Sequence, residues 1–434
     1  MNIKLCYAGL ACAIVFTANV VHASDEEALT LQLDEYEKRL DKLERRTSKQ
    51  ETKNTYKTGN EFNPALSVSI DGLYASYKNN PDDYVLPGYS LGGESELSAE
   101  GFSLGHTEII ISSNIDDKFF GQLSLALAEH DDEVELELEE AFFETLTLGH
   151  GLTIRGGRFY SGIGYLNQQH QHVWDFHDAP LVYRGIFGNQ YFDDGLRVTY
   201  IAPTDLYIEL GLEAFAGGKY PAGGGHSNAG VWTGFINFGG DIGISHSWLA
   251  GLSYWDGDDI EREYGGHEEH GVAETPLFEG DSQIVGVNMI YKWAPEGNSL
   301  EKNFKLQFEY FDRDEEGDLT LLDSFPLEAS RLKSEQQGWY LQAIWQFDRN
   351  WRTGVRYDAL DSDNSGNDAA VLDEAGLVVN GHEPTRSSIM AEWLPSGFSR
   401  IRLQYNRDDS YQDTDHQLFL QYTFSLGAHG AHNY

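Results

Sequence analysis

Imidazole and carboxylate side chains are concentrated in one short stretch of the chain, and their spacing suits a metal ion. The stretch contains His170, His172, Asp175, His177 and Asp178. Residues two apart on an extended segment point to the same side, so His170 and His172 would present two imidazoles together. Nitrogen and carboxylate ligands in this combination suit zinc. We therefore predict that His170, His172 and Asp175 bind zinc together with His177 or Asp178. The alternative is that these polar residues only fill space in the folded protein and bind no metal ion.

Two other histidine clusters are weaker candidates for the same chemistry. One is Gly266-His267-Glu268-Glu269-His270, and the other is the pair His429 and His432 near the C-terminus. For each of them, the alternative is again that the residues only fill space and bind no metal ion. No cofactor other than zinc is expected.

Short strands are the elements that must position these residues. Sixteen segments in which apolar and polar residues alternate can be placed along residues 65–424. Their connections are alternately short, as at Asn114–Lys118, and long, as at 128–134, 257–282 and 313–337. Tight turns on one rim and long loops on the other are typical of outer-membrane β-barrels. The sequence therefore predicts an all-β fold, a sixteen-stranded antiparallel transmembrane barrel over residues 62–426 with both termini in the periplasm.

The third long connection, Tyr160–Gly195, contains the predicted zinc ligands. It is rich in Trp, Tyr, Phe, Ile and Leu, which an exposed loop would avoid. We therefore expect this loop to fold into the barrel and to narrow it, as the third loop of porins does.

Charged residues on the predicted strands form two groups. Strand alternation places both groups on the lumen face, roughly across the barrel from each other. The glutamate wall consists of Glu135, Glu137 and Glu139, and the arginine wall consists of Arg352, Arg356, Arg386, Arg400 and Arg402. Opposed walls of this kind would create a transverse field at a constriction that admits small polar solutes. The alternative is that the charges pair only to fill space.

The N-terminal region differs from the strand region. Lys4, the apolar run Leu5–Val21 and the small residues around Ala23 predict a secretory signal peptide, 1–23. Residues 24–50 carry a 4-3-4-3 apolar spacing that predicts a short periplasmic coiled coil. The apolar positions are Leu29, Leu33, Tyr36, Leu40 and Leu43. A lone amphipathic helix is the alternative; a linker, 51–61, and a C-terminal tail, 427–434, complete the chain.

Composition excludes several classes of function. A net charge of -40 argues against nucleic acid as a partner, because phosphate binding requires a basic surface. The sequence contains no Walker loop, no zinc-protease helix and no nucleophile elbow, so an enzyme is not expected. Residues 24–60 are too few to form the plug of a TonB-dependent receptor, so no TonB complex is expected as a partner. Both cysteines, Cys6 and Cys12, lie in the predicted signal peptide.

Several motifs resemble a known family. They are Gly156-Gly-Arg158-Phe159-Tyr-Ser-Gly-Ile-Gly-Tyr165, the segment His170–Arg184, Asn63-Pro-Ala-Leu66, Asn114-Ile-Asp-Asp-Lys118 and Glu139-Glu-Ala-Phe142. Together they resemble proteobacterial outer-membrane proteins described as zinc-regulated outer-membrane receptors, often labelled TonB-dependent, which are distantly similar to phosphate-selective porins. The resemblance implies a signal peptide, a short coiled coil, a porin-like barrel and a link to zinc supply.

These features together predict a porin-like channel in the outer membrane. It would pass small solutes, with a preference for cations or zinc, and the third long loop would form its constriction. The alternative is a zinc- or metal-linked receptor that binds its ligand at the loops. Lipid and lipopolysaccharide are the expected surroundings, and a homotrimer is expected with Leu29, Leu33, Leu40 and Leu43 at its seam.

Overall fold

The computed structural model describes residues 64–130, 133–224, 229–264, 275–379, 381–410 and 413–427. For residues 128–130 and 133–135 it describes the backbone but not the side chains. The predicted signal peptide, coiled coil and linker lie outside the described residues. So do the clusters at 267–270 and 429–432, and nearly all of the predicted tail.

One antiparallel sheet accounts for nearly all of the regular structure in the described residues. Its first and last strands pair with each other, so the sheet closes into a barrel. The strands are β1 (Ala65–Ser76), β2 (Gly101–Leu104), β3 (Thr107–Asn114), β4 (Phe119–His130), β5 (Glu133–Thr145), β6 (Leu152–Tyr160), β7 (Phe192–Ile201), β8 (Tyr207–Phe215), β9 (Val231–Ile242), β10 (His246–Glu263), β11 (Pro276–Trp293), β12 (Asn303–Leu321), β13 (Glu328–Asp348), β14 (Trp351–Gly366), β15 (Thr385–Ser396), β16 (Ser399–Asp409) and β17 (Asp415–Gly427).

Two of these strands, β2 and β3, together occupy one strand position in the barrel. β2 pairs with residues 72–75 of β1, and β3 pairs with residues 65–69 of the same strand. The two residues between them, Gly105 and His106, interrupt what is otherwise one strand. The barrel therefore has sixteen strand positions, and the predicted fold class is confirmed.

The connections alternate in length less regularly than the sequence predicts, because several predicted long loops are mostly strand. β12 and β13 have 19 and 21 residues, and only 322–327 separate them. The predicted long connections 313–337, 257–282 and 128–134 were therefore too long. On β12 the outward side chains of Asp314, Glu316 and Asp318 face water, while Leu319 and Leu321 are buried. Acidic residues in this stretch are typical of a loop, which is why composition alone does not indicate that pairing continues through it.

The outer surface carries an apolar band between two rows of aromatic residues. Near the short turns, Trp293 stacks on Trp345, and Trp351 stacks on Trp393. A second row includes Trp339, which lies roughly 20 Å from Trp345 along β13 at the usual rise per residue. Aromatic girdles that flank an apolar band are typical of transmembrane barrels. Among the described residues, no helix is long and apolar enough to cross a membrane.

The loops on the long side fold into the barrel and fill much of it. α1 (Leu181–Phe187) is fully buried, and its side chains join those of Trp255, Phe311 and Tyr340 on the barrel wall in one hydrophobic cluster. A second short helix, α2 (Ala369–Glu374), contributes Val371 and Leu372 to the same cluster. The interior is therefore a packed core that reaches the wall from β5 to β14 and contacts α1 next to β12–β14.

The end of α1 is fixed by Gly188, at a position where only glycine fits. Gly188 has φ 60° and caps the helix in the left-handed conformation. A Cβ added there would lie 2.5 Å from the carbonyl oxygen of Gly92, in the first long loop. The first and third long loops therefore pack backbone against backbone inside the barrel.

Candidate functional site

The third long loop, residues 161–191, has a well-defined internal frame. The Asn167 amide donates to the carbonyl oxygens of Ser161 at 2.9 Å and Tyr191 at 2.8 Å, which ties the two ends of the loop together. Glu309 on β12 accepts hydrogen bonds from the backbone N–H groups of Tyr165 at 2.7 Å and Leu166 at 3.0 Å. The loop thus lies inside the barrel, in the position that its apolar composition predicts.

One side of the loop binds the arginine wall. Asp178 lies 2.8 Å from Arg356 and 2.8 Å from Arg386, and Asp175 lies 3.3 Å from Arg352. The carbonyl oxygen of Trp174 accepts hydrogen bonds from both Arg400 and Arg402, at 3.2 and 2.6 Å. Burial alone would raise the pKa of Asp178, but Arg386 and Arg356 outweigh it and hold that pKa well below its usual range.

Wall carboxylates share these arginines. Glu392 on β15 contacts Arg352, Arg400 and Arg402. Asp358 on β14 lies 3.1 Å from Arg356. The five predicted arginines thus point into the barrel and are buried, and each contacts a carboxylate of the wall.

The other side of the loop carries its histidines to the opposite wall. His170 Nδ1 and His172 Nδ1 each lie 2.6 Å from a different oxygen of Glu108 on β3. His170 Nε2 also lies 3.2 Å from Glu140 on β5. Burial favours the neutral form of His170, but Glu108 and Glu140 outweigh it and raise its pKa well above the usual value. For His172, burial prevails over Glu108 and lowers the pKa.

The five predicted zinc ligands therefore contact different partners and do not all meet at one point. His170 and His172 are neighbours, with ring centroids 5.7 Å apart, and both lie against Glu108. Asp175 and Asp178 contact cationic side chains. His177 Nε2 lies 3.3 Å from Ser98 Oγ, and burial lowers the pKa of His177 to about 4.

Two residues of the predicted glutamate wall, Glu137 and Glu139, have described side chains. Glu139 is buried and lies 3.1 Å from His106 Nε2, and Glu137 lies 3.0 Å from the ammonium group of Lys219. The side chain of Glu135 lies outside the described residues. The loop lies between the two walls, so the predicted transverse field does not cross an open gap at this point.

Sequence reasoning missed several charged residues that contact the loop. Glu108 follows Thr107 and precedes three isoleucines on β3, and Glu392 lies among apolar residues on β15. A single carboxylate in an otherwise apolar strand is a signal that could have identified both, because such a group must be paired inside the barrel. Lys305, 2.5 Å from Asp175, could have been found from its period-two position on β12.

A polar cavity remains beside the loop. Its volume is about 210 Å³, and it lies between the third long loop, the first long loop and the wall formed by β1, β2 and β17. Several lining atoms are buried without a hydrogen bond to any described residue: Asp71 Oδ1, His177 Nδ1, Arg184 Nε and Arg184 Nη1. A polar cavity of this size holds several water molecules, each of which occupies about 30 Å³.

Acidic groups predominate in the lining. It contains the carboxylates of Asp71, Glu94, Glu96 and Asp178, and its basic side chains are His106, His177 and Arg184. Burial, together with the nearby Glu137 and Glu139, raises the pKa of Glu94 to about 8. This carboxyl group therefore changes charge just above neutral pH.

Comparisons with known proteins agree on the fold. No protein-family profile matches the sequence. An uncharacterised protein of Aquifex aeolicus (strain VF5) is 29% identical over 404 residues, which span 86% of this chain and 80% of the relative. OmpT, an outer membrane protein of Vibrio cholerae, is similar in structure: its loop L8 deletion mutant gives a TM-score of 0.51 at 9% identity, over 85% of this chain and 100% of that one. OmpT in its trimer form gives a TM-score of 0.51 at 8% identity, over 84% and 99% of the two chains.

The comparisons establish a fold and do not assign a family. The chain has the closed sixteen-stranded barrel of an outer-membrane protein. Its resemblance to zinc-regulated outer-membrane receptors stays a prediction, since neither of these relatives is described in those terms.

Proposed function

We propose that this protein is an outer-membrane channel that passes small solutes along a narrow polar passage beside the third long loop, and that it favours cations. The observation that carries the proposal is the cavity of about 210 Å³ left between the loop and the β1–β2–β17 wall. Buried polar atoms without a hydrogen-bond partner are costly unless water or a solute contacts them. Asp71, His177 and Arg184 have such atoms, to judge from the described residues, so the cavity is suited to a hydrated solute.

The charge of the lining supports a preference for cations. Asp178 is already neutralised by Arg356 and Arg386, whereas Asp71 and Glu96 have no ion pair with an arginine among the described residues. Glu94 adds negative charge once the pH exceeds its pKa of about 8. A cleft lined by one sign of charge raises the local concentration of counter-ions. The net charge of -40 adds to this effect over the whole chain.

The predicted pore residues divide into two roles in this proposal. Glu137 and Glu139 lie next to Glu94 and His106, which line the cation passage. The arginine wall holds the loop in place and does not itself face the solute. Of the predicted zinc ligands, His170 and His172 stay candidates, whereas Asp175 and Asp178 would have to leave their cationic partners to bind a metal ion.

Planar-bilayer recording tests the proposal. We expect discrete conductance steps from the purified, folded barrel, and a reversal potential in a salt gradient that favours potassium over chloride. Absence of steps from protein that migrates as a folded barrel would contradict a channel. A reversal potential that favours chloride would contradict the cation preference.

A binding receptor is the second candidate, and the filled interior favours it. The hydrophobic cluster around α1 closes the side of the barrel next to β9–β14 among the described residues. A receptor would need an energising complex in the inner membrane, whereas a channel would not. Growth on scarce zinc with and without that complex separates the two, since dependence on it would favour the receptor.

The outer membrane is the proposed location, supported by the apolar band and its aromatic rows. A homotrimer is proposed for the assembled protein, and lipid and lipopolysaccharide are its proposed surroundings. OmpT of Vibrio cholerae, which shares the fold, has been solved in a trimer form. Cross-linking in intact membranes would test the trimer.

A further inference from the structure

Two irregularities, one on each side of β4, bring polar residues to one inward patch. The first is the interruption at Gly105 and His106. In β2 the even-numbered residues face outward, and Phe102 is 88% exposed; in β3 the even-numbered residues face inward, and Glu108 is 0% exposed. The break therefore reverses which positions face the lumen, and it turns Glu108 inward.

The second irregularity is a β-bulge on β5. Ser124 pairs with Glu140 and Leu125 pairs with Leu138, so Glu139 is an additional residue without a partner in the register. As a result the consecutive residues Glu139 and Glu140 are both buried inside the barrel. Bulges are common next to functional sites, where they redirect a side chain.

The patch has the composition of a metal site, and its ligand atoms lie close together. Ligand atoms of His106, Glu108 and Glu139 all lie within 4.8 Å of one another, and this is the one such group of three in the part of the chain that the structure describes. Ligand atoms of a tetrahedral zinc site stand about 3.4 Å apart, given its bond lengths. A small closure of these side chains would therefore place all three on one ion.

The histidine of this group has bonding capacity to spare. His106 Nε2 is buried and lies 3.1 Å from Glu139 Oε1, but the contact does not have hydrogen-bond geometry. His106 also lines the polar cavity, so an ion in the cavity has direct access to it. His170, 2.6 Å from Glu108, is within reach as a further ligand.

We propose that His106, Glu108 and Glu139 form a transient binding site for a divalent transition-metal cation, such as zinc, on the cation passage. The place of this site on a transport route rests on the proposed channel function. Imidazole with two carboxylates suits zinc and its neighbours, whereas calcium requires six to eight oxygen ligands. A divalent cation would also relieve the repulsion between Glu108, Glu139 and Glu140, which burial strengthens.

Metal titration of the full-length barrel in detergent tests the site. The parent protein would carry His267→Asn, His270→Asn, His429→Asn and His432→Asn, which remove the other histidine clusters. Zn²⁺ binding is measured by calorimetry in excess Ca²⁺, which occupies exposed carboxylates. The test variants are His106→Asn and Glu139→Gln. The control is His416→Asn, whose ring stacks on Tyr405 on the outer surface.

We expect one Zn²⁺ per chain in the parent and the control, and binding at least about tenfold weaker in both test variants. Equal affinity in the parent and in either folded test variant would overturn the site. Heat-modifiable gel mobility establishes which variants are folded. Co²⁺ absorption by the parent needs no variant: bands of a four- or five-coordinate ion support the site, and the spectrum of the hydrated ion overturns it.

Bilayer recordings on the same protein separate this site from the channel function. Zn²⁺ binding without conductance would leave the site standing and would contradict the channel. Cation conductance without Zn²⁺ binding would do the reverse.

Discussion

Asp178 accepts a hydrogen bond of 2.8 Å from Arg356, a residue 178 positions later in the chain. The contact joins the third long loop to the barrel wall inside the lumen. Both side chains are buried, and Arg386 lies on the other carboxylate oxygen at 2.8 Å. The arrangement explains why a loop of this length keeps one position within the barrel.

Asp178→Asn should loosen that attachment. Removal of one partner from a buried ion pair costs about 3–5 kcal/mol, because the remaining charges lose their compensation. We expect a larger and noisier single-channel conductance. Asp194→Asn is the matched control, since Asp194 pairs with Arg158 at 2.9 Å but is 58% exposed, and its loss should leave the conductance unchanged. Equal conductance in wild type and Asp178→Asn would contradict the anchoring role.

Cation preference should increase with pH because of Glu94. Burial, with Glu137 and Glu139 on β5, raises the pKa of this carboxyl group to about 8, while His106 acts in the opposite direction. A raised pKa leaves the group mostly neutral below that pH and charged above it. Potassium selectivity should therefore rise between about pH 7 and 9 in wild type.

Reversal potentials measured across that range check this prediction. The Glu94→Gln variant should show a flat profile there, and Glu96→Gln should retain the dependence. A pH profile that is the same in Glu94→Gln and wild type would assign the titration to another group.

The aromatic packing of α1 should keep the third long loop rigid. Phe187 is fully buried, with its ring centroid 5.0 Å from that of Phe311. Phe187→Ala should destabilise the loop by about 3–5 kcal/mol through loss of apolar contact and the cavity left behind. Faster hydrogen exchange of the amides in 181–188 is the expected result. Phe325→Ala, at a fully exposed turn position (102% exposed), should change nothing; unchanged exchange in both variants would contradict the packing role.

Sidedness can be tested with single cysteines in two turns. Phe325→Cys lies in the long-side turn between β12 and β13, and Thr204→Cys lies in the short turn between β7 and β8. The two native cysteines, Cys6 and Cys12, are in the predicted signal peptide. A membrane-impermeant maleimide should label only Phe325→Cys on intact cells. Labelling of Thr204→Cys alone would reverse the orientation.

Strand periodicity predicts most of the fold. Residues 338–347 alternate regularly, and β13 includes all of them. The hairpin β12–β13 extends further than predicted because its outer residues face water, so their polarity does not mark the end of pairing. Local composition also places the third long loop inside the barrel, since its apolar side chains require burial.

The detailed site could not be predicted from the sequence. His106, Glu108 and Glu139 come together because a strand break and a bulge disturb the period of two, which pattern reasoning assumes to be constant. The separation of Asp178 from His170 depends on partners far away in the chain, Arg356 and Glu108. Sequence spacing contains no information on such through-space pairs.

Cysteine block distinguishes the proposed solute route, which runs beside the third long loop along β1, β2 and β17, from a route on the filled side of the barrel. Ser103 on β2 lines the cavity, whereas Ser334 on β13 is buried on the filled side of the barrel. A cationic methanethiosulfonate reagent should block the current of Ser103→Cys and leave that of Ser334→Cys unchanged. Full current through Ser103→Cys after mass spectrometry has confirmed the modification would rule out this route.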